Sequence, residues 1–324
     1  MVQPMNFRGF TALLASLVGL CLLIIVAFLL IYAWPAVKMN GWGFLSGDTW
    51  NLGNLYADPI TRNGMQVLPA AQYGILFLIV GTLLSTLIAV AMAIPVGVGA
   101  AMFLAAGVPA SLRTWVSFLV EMLAAIPSVV YGLWGYAVVI PFLGHTLFPW
   151  MAKWLGWVPF FSGPTGSGYG LLTAGLVLGL MIVPLITATV RDALVNQVAS
   201  LRDASLALGA SQFETLWEVL LPSVRRVLIG SSILATGRAL GETMAVLMIS
   251  GNALNYLPQN IYQPISTMAS FIVSQLDSAM TDPTGLAVRA LAEVALVLCV
   301  ISILVNGFAR MLLYYQARRS PGVA

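Results

Sequence analysis

Two oppositely charged residues, Arg238 and Glu242, lie four positions apart in a largely apolar stretch of the chain. A charge near the middle of a membrane helix costs about 2.5–3.5 kcal/mol on insertion scales, so such a residue needs a compensating role. A guanidinium presents a planar fork that matches a phosphate-like oxyanion with two hydrogen bonds. Either Arg238 lines an anion pathway and Glu242 holds it in place, or the two form an ion pair along one helix face that fixes helix packing.

Three more charged residues fall in predicted membrane spans: Glu121, Arg289 and Glu293. Arg289 and Glu293 repeat the four-residue spacing, which predicts a second ion pair along a helix face. Because they lie nearer the end of their span, we expect a structural role for this pair. The sequence around Glu121 does not by itself indicate what that residue does.

The composition requires that these charges lie in a membrane protein. The 324 residues are 60% hydrophobic and only 8% charged, and the mean hydropathy is +0.96. A soluble domain carries about 25% charged residues, so this chain cannot cover a surface in water. The composition therefore excludes a soluble enzyme, a disordered chain and a nucleic-acid-binding protein, and it makes the lipid bilayer the main solvent.

Apolar segments of spanning length predict an all-α membrane protein with six transmembrane helices. The predicted spans are about 10–34, 73–104, 115–141, 169–190, 226–250 and 288–314. A shorter apolar stretch, 261–276, has helical spacing and is either an interfacial or re-entrant helix or a packed loop helix. These spans divide the chain into a first helix with an ordered extracytoplasmic loop (1–72), a transmembrane core (73–315) and a cytoplasmic tail (316–324).

The distribution of Lys and Arg predicts that both termini lie in the cytoplasm. With the N-terminus inside, nine arginines fall on the cytoplasmic side and three basic residues fall outside. The nine are Arg8, Arg113, Arg191, Arg202, Arg225, Arg226, Arg310, Arg318 and Arg319, and the three are Lys38, Arg62 and Lys153. Reversing the topology would invert this bias.

One predicted cytoplasmic loop, residues 191–223, is long enough to meet another protein. Its sequence predicts a short amphipathic helix, a turn at Gly209, and a second helix that ends at Pro222. Glu214 and Glu218 are expected on the exposed side of the second helix, with Trp217 available for packing. Such an element lies along the membrane and can be gripped by a soluble partner.

This loop resembles the EAA loop of binding-protein-dependent ABC importer permeases. The matching positions are Asp203, Ala204, Ser205, Gly209, Val219, Leu221 and Pro222, with Asp, Ser and Val replacing the usual Glu, Ala and Ile. The resemblance implies a coupling helix seated in a cleft of a separate ATPase subunit, with Glu214 part of the contact. Since the chain has no Gly-x4-Gly-Lys-Ser/Thr motif, we expect no ATPase activity, no catalytic residues and no cofactor or metal in this chain; ATP and Mg²⁺ would be bound by partner subunits.

Two further runs resemble the PstC-type permeases of bacterial phosphate ABC importers. They are Gly237 to Met248, which contains Arg238 and Glu242, and Glu121 to Gly135. The resemblance implies a type I ABC importer permease fold in the bacterial cytoplasmic membrane and inorganic phosphate as the substrate. It also implies a substrate pathway, which comprises Arg238, Glu242, Glu121, Ser128 and Thr243. The implied partners are a second, PstA-type permease, two ATPase subunits and an extracytoplasmic phosphate-binding protein.

Three other functions are alternatives to a phosphate permease, and a sequence feature bears on each. A permease for molybdate or sulfate would use the same architecture, although the segment around Arg238 and Glu242 argues against it. An ATP-independent anion channel or carrier has no use for the coupling loop. A membrane scaffold or sensor would leave the charges at Arg238 and Glu242 unexplained.

Overall fold

The computed structural model describes residues 7–197 and 199–319, and helices make up most of that part of the chain. A π-helical turn, Phe103–Gly107, extends the helix Leu76–Met102, and a 3-10 turn, Pro159–Phe161, follows the helix Ser128–Leu155. In chain order the elements are α1 (Phe7–Asn40), α2 (Gly43–Ser46), β1 (Trp50–Asn51), β2 (Ile60–Arg62), β3 (Met65–Val67), β4 (Gln72–Tyr73), α3 (Leu76–Met102), α4 (Ala110–Ala125), α5 (Ser128–Leu155), α6 (Leu171–Val195), α7 (Ala199–Ala207), α8 (Gln212–Ser223), α9 (Arg225–Leu240), α10 (Met244–Ile249), α11 (Met268–Met280) and α12 (Leu286–Arg319).

Five helical segments in the described residues are long and apolar enough to cross a membrane. They are Gly9–Asn40, Leu76–Gly107, Ser128–Leu155, Leu171–Val195 and Leu286–Met311. A sixth is present if α8 and α9, which meet at a bend of 70°, are counted as one span. The predicted all-α class with about six spans is confirmed.

The third span lies further along the chain than the sequence predicted. The expected span 115–141 is interrupted at Ile126, whose backbone is extended (φ −63°, ψ 130°) immediately before Pro127. A proline disfavours helical backbone in the residue before it, and this ends α4. The 16 residues of α4 extend only about 24 Å, too short for the hydrocarbon layer. The spanning helix is α5, and Glu121 lies on α4 outside it.

The fifth predicted span, 226–250, is also interrupted. The helix α9 ends at Leu240, and α10 begins at Met244 after a three-residue break, Gly241 to Thr243. Gly241 adopts φ −92° and ψ 0°, a turn conformation that does not continue an α-helix. Arg238 therefore lies in α9, whereas Glu242 lies in the break itself.

The described chain forms two compact units. The first consists of the residues up to Leu76 with Gln275–Cys299, and the second of Phe77–Ser274 with the residues from Val300 onward. In the first unit, β1 pairs with β4 and β2 pairs with β3, both antiparallel. Asn63 (φ 53°) and Gly64 (φ 78°) form the tight turn between β2 and β3. These ribbons give residues 50–73 an ordered structure.

The predicted pairing of Arg289 with Glu293 is wrong. In the first unit, Glu293 is buried and accepts a hydrogen bond of 2.9 Å from the side-chain amide of Asn40 at the end of α1. Arg289 instead lines a shallow apolar groove with Phe28, Tyr32 and Pro35. Among the described residues no ion pair joins Arg289 to Glu293, and the acceptor oxygen of Glu293 is bonded to Asn40 instead.

The core of the second unit forms where α3 packs against α6. Small residues allow the close approach, and a side chain at Gly97 would come within 2.9 Å of Ile186. The hydroxyl of Thr187 donates across the same contact to the carbonyl of Gly97 at 3.3 Å. The buried apolar side chains around this contact are Ala89, Ala93, Leu178, Ile182, Ile186 and Val190.

Two further predictions concern the last third of the chain. Ile261, Tyr262 and Ile265 are buried in a loop that packs against Phe148 and Leu171, and a helix begins only at Met268. The first residues of the 261–276 stretch therefore form a packed loop.

The predicted tail 316–324 is helical as far as Arg319, and residues 320–324 lie outside the described residues, as do the side chains of Arg8, Arg318 and Arg319.

Candidate functional site

The break between α9 and α10 carries three of the predicted pathway residues. Arg238 is exposed in the last turn of α9, whereas Glu242 and Thr243 are half-buried in the break itself. The Thr243 hydroxyl donates to the carbonyl of Gly241 at 3.2 Å, and the N–H of Glu242 donates to Ala239 at 3.3 Å. Membrane transporters commonly build substrate sites at interrupted helices, where backbone and polar side chains can face a cavity.

The start of α5 lies beside this break. A side chain at Gly132 would come within 3.0 Å of Ala245, and one at Gly135 within 3.0 Å of Ile249. Because the residue numbers on both helices increase together, α5 and α10 run in the same direction. Ser128, the half-buried first residue of α5, lies one turn before these contacts, and from the parallel direction of the helices we infer that it lies near the break.

Tyr131, in the first turn of α5, bonds across the break that separates α4 from α5. Its hydroxyl donates to the carbonyl of Leu123 in α4 at 2.9 Å, across the Ile126–Pro127 break. The Arg238 guanidinium is close enough to act electrostatically on the Tyr131 phenol. Arg238, Glu242, Thr243 and Ser128 therefore share one region of the second unit, with an exposed cation at its edge.

The alternative in which Arg238 and Glu242 form an ion pair along one helix face is wrong. Among the described side chains, Arg191 pairs with Glu121 and Asp192, and no ion pair joins Arg238 to Glu242. The prediction assumed a continuous helix, in which residues four apart face each other, and the break at Gly241 removes that geometry. The exposed guanidinium is therefore not neutralised by Glu242.

Glu121 lies in a different place from the other predicted pathway residues. Its carboxylate accepts a hydrogen bond of 2.9 Å from Nη2 of Arg191, near the end of α6. The Arg191 side chain is only 9% exposed and is also bonded through Nε to Asp192 at 2.9 Å. From the sequence alone Arg191 is only one of the arginines that indicate the orientation, because its partner Glu121 is 70 residues away.

The segment from α7 to α8 consists of a helix, a turn and a second helix, as predicted. Gly209 follows α7 with φ +91°, a left-handed conformation that favours glycine. Ser211 then begins α8 with a capping box: its hydroxyl accepts from the N–H of Glu214 at 3.2 Å, and its N–H donates to the Glu214 carboxylate at 2.7 Å. These two bonds lower the pKa of Glu214 below its ordinary value. A hydrogen bond of 3.0 Å between Ser205 and Thr215 joins the two helices.

The same segment presents a large exposed apolar surface. Leu208 is 90% exposed and Phe213 66%, and the Phe213 ring stacks on Trp217 with centroids 6.3 Å apart. Asp203 and Ala204 are exposed on α7, while Leu221 is half-buried and Pro222 exposed in the last turn of α8. The second helix continues one residue past Pro222, to Ser223, before the 70° bend. An apolar surface of this kind is typical of an interface with another protein.

Comparison with known proteins places this arrangement in a family. Residues 93–319 match the family described as binding-protein-dependent transport system inner membrane component. The chain is 46% identical over 284 residues to the phosphate transport system permease protein PstC 1 of Mycobacterium tuberculosis, covering 86% of this chain and 84% of the relative.

Other relatives cover still more of the chain. The PstC permease of Haemophilus influenzae is 37% identical over 311 residues, which is 95% of this chain and 92% of the relative. That of Pasteurella multocida is 36% identical over 310 residues, with 95% and 90% covered. A solved structure of the MetNI methionine ABC transporter in an inward-facing conformation is similar over 75% of this chain, with a TM-score of 0.49 and 19% identity. The chain belongs to the family of binding-protein-dependent transport system inner membrane components.

Proposed function

We propose that this chain is the membrane permease subunit of an ATP-driven importer that moves inorganic phosphate into the cytoplasm by alternating access. The observation that carries the proposal is the exposed guanidinium of Arg238 at a helix break, beside Glu242, Thr243 and Ser128. The relatives named as phosphate transport permeases, at 36–46% identity, support the same substrate.

The chemistry of the break suits a transported oxyanion. Arg238 supplies a permanent charge and paired donors, and the hydroxyls of Ser128 and Thr243 supply neutral hydrogen-bonding groups. Glu242, two residues beyond the end of α9, places a negative charge near the same region. That charge weakens anion binding, and weak binding allows phosphate to leave.

The energy for transport comes from partner subunits in this proposal. The exposed apolar surface of α7 and α8, with Leu208, Phe213 and Trp217, supports docking into an ATPase subunit. Asp203, Ala204, Gly209, Glu214, Leu221 and Pro222 form the coupling element, and two ATPase subunits bind ATP and Mg²⁺. A second, PstA-type permease and an extracytoplasmic phosphate-binding protein complete the complex in the bacterial cytoplasmic membrane.

The test is uptake by the reconstituted complex. Proteoliposomes that contain both permeases and the ATPases, supplied with binding protein, should accumulate radiolabelled phosphate only when ATP is present on the ATPase side. Unlabelled phosphate should compete, and sulfate and molybdate should not. Equal competition by sulfate or molybdate would indicate a permease for another oxyanion, and uptake without ATP would indicate a channel or carrier.

A further inference from the structure

A cavity of about 140 Å³ lies where α7 and α8 meet the ends of α3, α4 and α6. Its apolar walls include Leu194, Leu216 and Leu220, and its polar groups are Arg113, Arg202 and Gln197. No acidic side chain of the described residues lines it. None of the predicted pathway residues lines it, and the α7 and α8 residues that line it are not those predicted to contact the ATPase.

Arg113 lacks a full set of acceptors. It lies in the first turn of α4, where the helix dipole makes a positive charge unfavourable. Its Nε is buried and has no hydrogen-bond partner in the described part of the chain. Its Nη2 reaches only the carbonyl of Val108, at a long 3.4 Å. A buried charged donor without an acceptor is costly, and an anion in the cavity would remove that cost.

Arg202 brings a second guanidinium to the same cavity from α7. No described residue pairs with it by a hydrogen bond or ion pair. We propose that this cavity binds a phosphate-bearing anion, held between Arg113 of α4 and Arg202 of α7, with the Gln197 amide as a further donor. The anion is either free inorganic phosphate or the phosphate of an anionic lipid headgroup, since both present the same oxygens to paired guanidinium groups.

The bound anion would join the coupling segment to the membrane helices. Arg202 moves with α7, and Arg113 is fixed on α4, so an anion between them restrains α7. The regulatory meaning of this restraint rests on the proposed function: if α7 transmits ATPase motion, occupancy of the cavity by cytoplasmic phosphate or by lipid sets how freely the permease responds.

Amide hydrogen exchange of α7 measures this restraint directly. The whole importer complex, free of nucleotide, is placed in nanodiscs of phosphatidylcholine and titrated with inorganic phosphate, with potassium chloride of equal ionic strength as the reference. A second set of nanodiscs, measured without added phosphate, contains phosphatidylglycerol in place of part of the phosphatidylcholine. We expect exchange of the α7 amides to slow by about tenfold when the ligand is at ten times its dissociation constant.

The two sets identify the source of the anion. Slowing by phosphate alone indicates free phosphate, and slowing by phosphatidylglycerol alone indicates lipid. Arg113→Gln and Arg202→Gln should each remove the slowing. Arg226→Gln, which removes an exposed arginine that does not line the cavity, should retain it. If Arg113→Gln does not fold, Arg202→Gln still decides, because Arg202 is exposed.

The proposal is overturned if neither set slows exchange, or if the slowing persists in the Arg202→Gln complex. Phosphate uptake is measured on the same preparations. Absence of uptake with intact slowing contradicts the proposed transport function only, whereas normal uptake without slowing contradicts the anion site only.

Discussion

The carboxylate of Glu121 accepts a hydrogen bond of 2.9 Å from the guanidinium of Arg191, which is nine-tenths buried. This bond joins α4 to α6, next to the Ile126–Pro127 break. A buried guanidinium needs acceptors, and Glu121 and Asp192 supply them. The contact gives Glu121 a structural role, and its expected place in the substrate pathway stays a prediction.

Glu121→Ala separates these two roles. We expect the free energy of unfolding to fall by about 1 kcal/mol, which lowers the thermal unfolding temperature by about 2–4 °C. The loss is small because Glu121 is half-exposed, so water can replace its carboxylate as an acceptor for Arg191, and because Asp192 remains. Phosphate uptake per folded complex should stay close to wild type. Thermal unfolding of the purified complex and uptake in proteoliposomes measure the two effects.

Asp58→Asn is the control for Glu121→Ala, since Asp58 is an exposed carboxylate in the predicted extracytoplasmic loop. It should leave both quantities unchanged. Unaltered thermal stability of Glu121→Ala combined with loss of uptake would instead place Glu121 in the pathway.

The sequence predicted features that depend on neighbouring residues better than those that depend on distant ones. The predicted turn at Gly209 follows from a local pattern, a glycine between two helical stretches, and the structure adds a Ser-x-x-Glu capping box at the start of α8. The Glu121–Arg191 and Asn40–Glu293 contacts join residues 70 and 253 positions apart, and no local pattern specifies them.

The wrong ion pair at Arg238 has a local cause that the sequence did contain. Gly241 lies between Arg238 and Glu242, and glycine is a common residue where a helix ends. The apolar residues on both sides predicted a continuous span and outweighed this signal. The span at Ile126 was misplaced in the same way, although Pro127 marks its interruption.

Arg238→Gln tests the guanidinium at the helix break. Replacing it by an amide removes the charge and the paired donors, so we expect uptake to fall by about 10- to 100-fold while the complex still assembles. Arg238→Lys keeps the charge without the fork and should lose less. Uptake in proteoliposomes and co-purification of the partner subunits are the measurements, and undiminished uptake by Arg238→Gln would remove Arg238 from the pathway.

Gly209→Ala tests the turn of the coupling segment through the backbone alone. A Cβ at Gly209 would meet nothing within 4 Å, but φ +91° is strained for any residue with a side chain. A cost of about 1–2 kcal/mol changes the population of the native turn by about 5- to 30-fold. We therefore expect more ATP hydrolysed per phosphate transported, measured by parallel hydrolysis and uptake assays.

Gly230→Ala is the matched control for this experiment. Gly230 lies inside α9 with open space around its Cα, and its backbone has no positive φ, so alanine fits there. Its coupling ratio should equal that of the wild type. A wild-type ratio in Gly209→Ala would show that the left-handed turn does not matter for coupling.

The Ser211–Glu214 capping box should make the start of α8 sensitive to acid. Because its two bonds lower the folded-state pKa of Glu214 below the ordinary value of 4.5, the ionised carboxylate stabilises the helix at higher pH. That stabilisation is present above pH 4.5 and is lost as the pH falls through the lower, folded-state pKa. Amide exchange at the start of α8 should therefore accelerate on acidification, beyond the intrinsic effect of pH on exchange.

Glu214→Gln should remove this acid sensitivity, because an amide does not ionise. Glu218→Gln changes an exposed glutamate four residues further along the same helix and should leave the sensitivity in place. The comparison isolates the contribution of the capping box, since both variants lose one negative charge from α8. Equal acid sensitivity in the wild type and in Glu214→Gln would mean that another group, and not the Glu214 carboxylate bonded to Ser211, controls the start of this helix.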